Sequence, residues 1–299
     1  MNKISRKVIL DTYNNKTPKK YLKKLKFLNK YLHPKSSMFL DLKSGIVRSE
    51  LKLKPIEILK YWSNVIFKSK NKEDYTATLP FAKARLQYVY ETLNIFFKKN
   101  KKIKICDFAS GQGVLLDIFK KEKYKNLRGV EHSVELAKRT NKKKNIKCHN
   151  AGLGFGELKK FKDLNNIDLG MLCWVLCNCI NPYEVLLEIS KTIKKNKFIC
   201  IAESSRILVP FRKKLDDYLD KRHINDIHPW HFSKTSLSTL LNLCNFEVVY
   251  TNRYKDSDVL LIIAKKKKIR KNLLNIDNAR KMHKFFLEWD FVTKKKVFD

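Results

Sequence analysis

Two carboxylates close successive apolar runs in this chain: Ile103-Lys-Ile-Cys-Asp107, and then Leu127-Arg-Gly-Val-Glu131. The first is followed by Phe-Ala109-Ser110-Gly111-Gln-Gly113 and an apolar helical pattern. Glycine is required where backbone passes so close to a ligand that a Cβ would collide with it. A helix starting there offers free N–H groups to a polar or anionic group. A carboxylate at the tip of the next strand can accept hydrogen bonds from both hydroxyls of a ribose. A Gly-x-Gly turn by itself is equally consistent with tight βα packing. Joined to Glu131, it points to nucleoside binding. A second group with chemical capacity is His228 and His231, in Ile227-His228-Pro-Trp230-His231-Phe-Ser233. An imidazole of near-neutral pKa can take a proton from a nucleophile. A hydrogen-bonded structural histidine or an exposed loop histidine is the alternative for each, and His223 is a weaker candidate of the same kind. Ser233 has a local reason to be there, as N-cap of the helix that follows.

The elements that must position these groups alternate regularly. Short apolar strands are expected at Ile103–Asp107, Leu127–Glu131, Ile146–His149, Asp168–Trp174 and Phe198–Glu203, with helices near Val114–Lys123, Val134–Asn141 and Tyr183–Ile193. Strands separated by helices of this length imply parallel βαβ crossovers, and near-continuous apolar strands imply a sheet covered on both faces. Residues 204–229 interrupt the alternation as an insert with a short helix expected at Phe211–Lys221. A helix at Thr235–Leu243 follows, then strands Phe246–Asn252 and Val259–Ala264 joined by turn chemistry at Asp256-Ser-Asp258, and a closing helix at Ile276–Trp289. Ahead of the core, residues 1–20 read as a polar tail. Helical spacing recurs over Tyr21–Tyr31, Pro55–Phe67 and Leu79–Phe97, with a hairpin at Met38–Val47. The organisation expected is a mostly helical region at 1–98 capping the substrate side, a core at 99–268 with an insert near 204–230, and a helical extension at 269–299.

The apolar share of 43% excludes wholesale disorder. The first twenty residues lack an apolar segment and a cleavage site, and no run approaches the length of a membrane span. The cytoplasm is therefore the expected compartment. A net charge of +36 invites a nucleic-acid reading. Most of that charge is lysine, accompanied by abundant Asn and Ile, a composition that AT-rich codons produce without any partner. Arginine forks suited to phosphates and bases are scarce. Runs such as Lys265–Lys268 fall where elements end, as solvated tips do. Nucleic acid is thus a less favoured partner than a small molecule. Among the seven cysteines, Cys173, Cys177 and Cys179 cluster without the paired spacing of a zinc site, so buried thiols are expected and no metal.

Asp107-Phe-Ala-Ser-Gly-Gln-Gly113 resembles the first motif of class I S-adenosylmethionine-dependent methyltransferases, and Gly129-Val-Glu131-His132-Ser133 resembles the second. Asn150-Ala-Gly152 stands where that family has a polar residue near the adenine, and Asp168–Trp174 is similar to its fourth strand. The resemblance implies an α/β fold: a Rossmann-like sheet of seven strands, the last antiparallel, with helices on both faces. It also implies S-adenosylmethionine as cofactor, held by Asp107, Ala109, Ser110, Gly111, Gly113, Glu131, His132, Asn150, Cys173 and Trp174, with Tyr75 and Arg85 as a lid over the methionine moiety. For Tyr75 and Arg85 a helix start and a solvated helix face are the alternatives. Ala109 departs from the usual first glycine, and Trp174, Cys177 and Asn178 replace the family's common pattern after strand four, so no role carries over to them there. The segment His228–Ser233 is similar to methyltransferases of sugar and polysaccharide biosynthesis, including sugar C-methyltransferases, whose N-terminal zinc-binding cysteines are absent. The expected acceptor is a sugar, nucleotide sugar or glycan intermediate. An RNA methyltransferase, or a non-catalytic cofactor-binding scaffold, are the competing expectations.

Overall fold

The computed structural model describes residues 2–51, 57, 80–97, 100–143, 145–203, 214–219, 228–252, 259–269 and 273–295. In chain order the elements are β1 (Asn2–Ser5), α1 (Arg6–Tyr13), β2 (Leu22–Lys24), β3 (Ser36–Asp41), β4 (Val47–Leu51), α2 (Pro80–Phe96), β5 (Ile105–Phe108), α3 (Val114–Lys121), β6 (Leu127–Glu131), α4 (Val134–Asn141) and β7 (Ile146–Asn150). They continue with β8 (Ile167–Cys173), α5 (Pro182–Thr192), β9 (Ile193–Glu203), α6 (Leu215–Leu219), β10 (Trp230–His231), α7 (Lys234–Leu243), β11 (Phe246–Thr251), β12 (Leu260–Lys266), β13 (Leu273–Ile276) and α8 (Ala279–Lys294).

The central sheet has seven strands in the order β11-β12-β9-β8-β5-β6-β7. β5 through β9 are mutually parallel, whereas β12 runs antiparallel to both β9 and β11. This is the expected α/β sheet with its antiparallel last strand. Burial explains why its strands read as continuous apolar runs. On β9, Ile199 and Ile201 face one buried cluster, with Leu186 and Ile189 of α5 and Leu237 and Leu240 of α7. The alternate residues Cys200 and Ala202 face a second cluster, with Val89 and Leu93 of α2 and Leu116 and Phe119 of α3. Helix starts are capped as the residue types require: Asn181 accepts from the Tyr183 and Glu184 amides, and Ser233 forms a reciprocal capping box with Ser236. Every parallel strand therefore delivers its carboxyl end to one rim of the sheet. Among the described residues no helix is long and apolar enough to cross a membrane.

The region ahead of the core differs from expectation. Residues 1–20 are not a tail: β1 pairs antiparallel with β13, and α1 buries Ile9, Thr12 and Tyr13 on one face. The i, i+3, i+4 spacing of those three residues was the available signal. Tyr21–Tyr31 is not an α-helix but β2 followed by a 3-10 helix at Lys26–Tyr31. Leu22, Leu25, Leu28 and Tyr31 recur every third residue, the period of the tighter helix, and the last three are buried. The hairpin is present as β3 and β4, with β2 added on one side and β10 on the other. Met38 and Leu40 of this four-stranded sheet, with Leu25 and Leu28 at the 3-10 helix, pack against Leu215 and Phe286 in a third buried cluster. The closing helix begins at Ala279 rather than Ile276, because Ile276 belongs to β13 and Asn278 is the N-cap. Of the expected helix at Phe211–Lys221, the described part is helical at Leu215–Leu219, whereas the expected helix at Pro55–Phe67 lies, apart from Glu57, outside the described residues.

Candidate active site

At the rim, β5 ends and the chain turns through Ala109, Gly111 and Gly113, all left-handed, with φ of 61°, 56° and 72°. Gly113 also opens α3, and a Cβ there would come within 2.8 Å of the Thr140 methyl. Ala109 takes a conformation that costs an L-residue roughly 1–2 kcal/mol, which explains why glycine is at home in that position. The turn is fastened to its surroundings. Ser110 N donates to Val130 O (3.0 Å), and Thr140 Oγ1 donates to Gly111 O (3.1 Å).

Glu131, at the tip of β6, is only 4% exposed. Its Oε2 accepts from the Gly111 amide and its Oε1 from the Ser133 amide, both at 2.9 Å, with His132 Nδ1 3.2 Å from Oε1. Each carboxylate oxygen has two acceptor lobes, so these bonds orient the group and leave it capacity for further donors. Asn150 ends β7 and donates its amide to Glu131 O (3.0 Å) and His132 O (2.8 Å), bracing the neighbouring strand tip. Asp107 is equally buried, yet among the described residues no donor reaches its carboxyl. Burial, and then the charge of Glu131, push its pKa up to about 8. A cation or a hydrogen-bond donor that enters the site would stabilise this carboxyl as the anion.

On the other side of β5, β8 ends at Cys173, whose thiol burial drives far above its ordinary pKa. Trp174 follows with φ 59°, its amide donating to Ala202 O (2.6 Å) and its ring lying 4.4 Å beneath the Arg85 guanidinium. Its indole Nε1 is buried with no hydrogen-bond partner among the described residues. Arg85 therefore reaches the rim from α2, whereas Tyr75 lies outside the described residues, as does His223. Glu203, at the tip of β9, receives the Val175 and Leu176 amides at 3.1 and 2.6 Å, and burial holds its pKa at about 7 in spite of those bonds. This clamp fixes the short 3-10 helix Leu176–Asn178. Asn178 Nδ2 in turn donates to Trp174 O (3.1 Å), and its Oδ1 lies 2.6 Å from His228 Nδ1.

The two histidines are thus separated in place. His228 is half-buried and joined to the loop after β8, on the rim of the sheet. His231 is a buried residue of β10, 2.9 Å from Ser49 Oγ of β4, within the accessory sheet. Glu203 and Asn178 had no role assigned from sequence. Glu203 carried the same signal as Asp107, an acid closing an apolar run. Asn178 carried none, because its partner is fifty residues away.

The rim fits a nucleoside that carries an ammonium and a sulfonium centre together with a carboxylate. It presents a buried carboxyl and an indole N–H without hydrogen-bond partners among the described residues, an oriented carboxylate at the adjacent strand tip and a left-handed backbone turn. S-adenosylmethionine has those features. Among described residues no group of side chains is arranged to hold a metal ion.

No curated protein matches the chain by sequence. Among solved structures, the 1,6-didemethyltoxoflavin-N1-methyltransferase of Burkholderia thailandensis, holding S-adenosylhomocysteine, aligns at 12% identity and a TM-score of 0.53, covering 76% of this chain and 97% of its own. The PH0226 protein of Pyrococcus horikoshii aligns at 14% identity and a TM-score of 0.49, covering 64% and 93%. Magnesium protoporphyrin IX methyltransferase of Synechocystis, also with S-adenosylhomocysteine, aligns at 11% and 0.48, covering 70% and 94%. The first of these supports the fold. Residues 81–251, more than half of the chain, match the family described as a methyltransferase domain. The chain belongs to that family: it is a class I S-adenosylmethionine-dependent methyltransferase.

Proposed function

We propose that this enzyme methylates a sugar, nucleotide sugar or glycan intermediate, with His228 as the base that activates the acceptor. The observation that carries this reading is the hydrogen bond between His228 and Asn178, which brings an imidazole to the loop flanking the cofactor rim. The cofactor supplies an electrophilic methyl on a positively charged sulfur. Asp107 would face its ammonium group, Glu131 its ribose hydroxyls, and Trp174 beneath Arg85 would wall the methionine end. The chain's own tasks are to align the acceptor, exclude water and remove one proton. For a hydroxyl acceptor, His228 Nε2 would receive the O–H proton as the oxygen takes the methyl, the cofactor leaving as a neutral thioether. His231, tied to Ser49, braces the strand that carries this segment. The layer at 1–98, whose hairpin pairs with β10, is proposed to cap the acceptor.

Among the described residues, the place of one basic cluster supports a small acceptor over RNA. A basic cleft of about 420 Å³, lined by Lys125, Arg128, Lys142, Lys143 and Lys147, opens where β6 and β7 begin. That is the rim opposite Asp107 and Glu131. The test is transfer of labelled methyl from the cofactor into pools of sugar nucleotides, glycans and RNA, with products resolved by mass. Label in sugar-bearing products is expected. Label mainly in RNA would overturn the acceptor class, and failure of the protein to bind the cofactor would remove catalysis altogether.

A further inference from the structure

We infer that Asn178 is a positioning residue that holds His228 as the Nδ1–H tautomer, so that the lone pair lies on Nε2. The inference rests on the proposed role of His228 as base and extends it to the group that makes the ring competent.

The orientation of the Asn178 amide follows from its surroundings. Trp174 O, 3.1 Å away, is a carbonyl and can only accept, so the amide NH2 must face it. The amide oxygen is then the atom 2.6 Å from His228 Nδ1, and it too can only accept. The hydrogen between them therefore belongs to Nδ1. A neutral imidazole carries one hydrogen, which leaves Nε2 as the basic nitrogen. A carboxylate in place of this amide would favour the protonated ring. The neutral amide orients the ring without adding charge.

The surrounding contacts make the arrangement rigid. Glu203 clamps the start of the 3-10 helix that ends in Asn178, through the Val175 and Leu176 amides. Two residues beyond His228, Trp230 Nε1 donates to Ile180 O (3.2 Å), binding the histidine's own segment to the same loop. Tyr13 lies against the Trp230 ring at 5.2 Å. The imidazole is thus set by its side-chain bond and by an anchor on its backbone. The positional chain runs from the tip of β9 through the loop after β8 to the proposed base.

The test combines a spectrum with kinetics on the full-length protein. Nitrogen-15 NMR of the histidine side chains near pH 8, with the His228 signals assigned by their loss in His228→Gln, should show a protonated Nδ1 and an unprotonated Nε2. In Asn178→Ala that pattern should give way to a tautomer mixture, and kcat should fall about 10- to 100-fold, part of the roughly 10²–10⁴-fold a positioned base contributes, with the KM for S-adenosylmethionine unchanged. Asn178→Asp should recover most of the rate and move the acidic limb of the kcat profile, since a neighbouring carboxylate raises an imidazole's pKa. An Nε2–H tautomer in the unaltered protein overturns the inference. So does a tautomer and pH profile indifferent to Asn178→Ala. Full activity in His228→Gln alongside the expected spectrum would defeat the role of His228 as base while the tautomer assignment stands.

Discussion

Asp107 is the residue whose titration the cofactor must exploit. In the free protein burial and Glu131 hold its pKa at about 8, against about 3.9 in an unfolded chain. The folded state thus binds the proton more tightly. Its contribution to stability is fully present below about pH 4 and is lost as pH rises through about 8. A cationic ligand reverses the preference, because it needs the ionised form. Cofactor affinity, measured by calorimetry, should therefore weaken as pH falls from about 8 to about 6, by up to about tenfold per unit. Asp107→Asn should bind more weakly with a flatter pH dependence, and without cofactor it should melt higher than the parent near pH 9. An unchanged slope in the variant would place the linkage elsewhere, Glu203 at about 7 being the other group on this rim. Ala109 makes a second test. Its φ of 61° suits glycine, so Ala109→Gly should keep cofactor affinity and raise stability by up to ~1 kcal/mol, relief of strain being partly offset by the freer unfolded chain. A loss in thermal unfolding would contradict the left-handed backbone. At this scale Asp107 and Glu131 were legible in the sequence, because an acid closing an apolar run needs a reason to be there. The Asn178–His228 pair was not, since only the folded loop brings the two together.

Among the elements, the parallel core was legible because each strand and helix announces itself locally, in strand-length apolar runs and capped helical stripes. The accessory sheet was half legible. Its hairpin shows in Met38–Val47, but the strand that completes it, β10, is two residues long and joins from the far side of the core. No local pattern identifies such a pairing. The structure also shows what holds this layer in place. Gly45, in the β3–β4 turn, has φ +71° and leaves no room for a side chain: a Cβ would lie 2.4 Å from the backbone oxygen of Asp277. Asp277 itself receives a hydrogen bond from Ser233, the N-cap of α7. The turn, the start of α7 and the approach to α8 are therefore packed on one point. Gly45→Ala is expected to lower stability by about 2 kcal/mol or more, combining the left-handed penalty with displaced backbone. Because β4 pairs with the strand bearing His231, activity should fall more steeply with temperature than cofactor binding does. A variant with parental melting temperature would show that the turn is not packed in this way.

For the molecule as a whole, the excess of cations sets the electrostatics. With 65 basic side chains against 29 acidic ones, carboxylates are the scarce partner, and several serve more than one cation. Asp163 meets the cations Arg128 and Lys147 and also the His149 imidazole, whose pKa burial lowers, and Asp290 meets Lys30 and Lys294. Burial alone would raise Asp163, but its bonds to Lys147 and His149 hold it at about 2. Such shared anions persist to low pH, and they neutralise only part of the surface. The remaining lysines repel one another in the compact state more than in the expanded one. Added salt screens that repulsion over a Debye length of about 10 Å at 0.1 M. The melting temperature should consequently rise by several degrees between roughly 20 and 300 mM sodium chloride, contrary to a fold stabilised by exposed ion pairs. The same salt should weaken any binding of polyanions to the basic cleft at the start of β6 and β7, while methyl transfer to a small acceptor at the opposite rim changes little. A melting temperature that falls with salt would show that ion pairs such as Asp163's outweigh the net charge. Methyl transfer that collapses together with polyanion binding would tie the cleft to the acceptor after all.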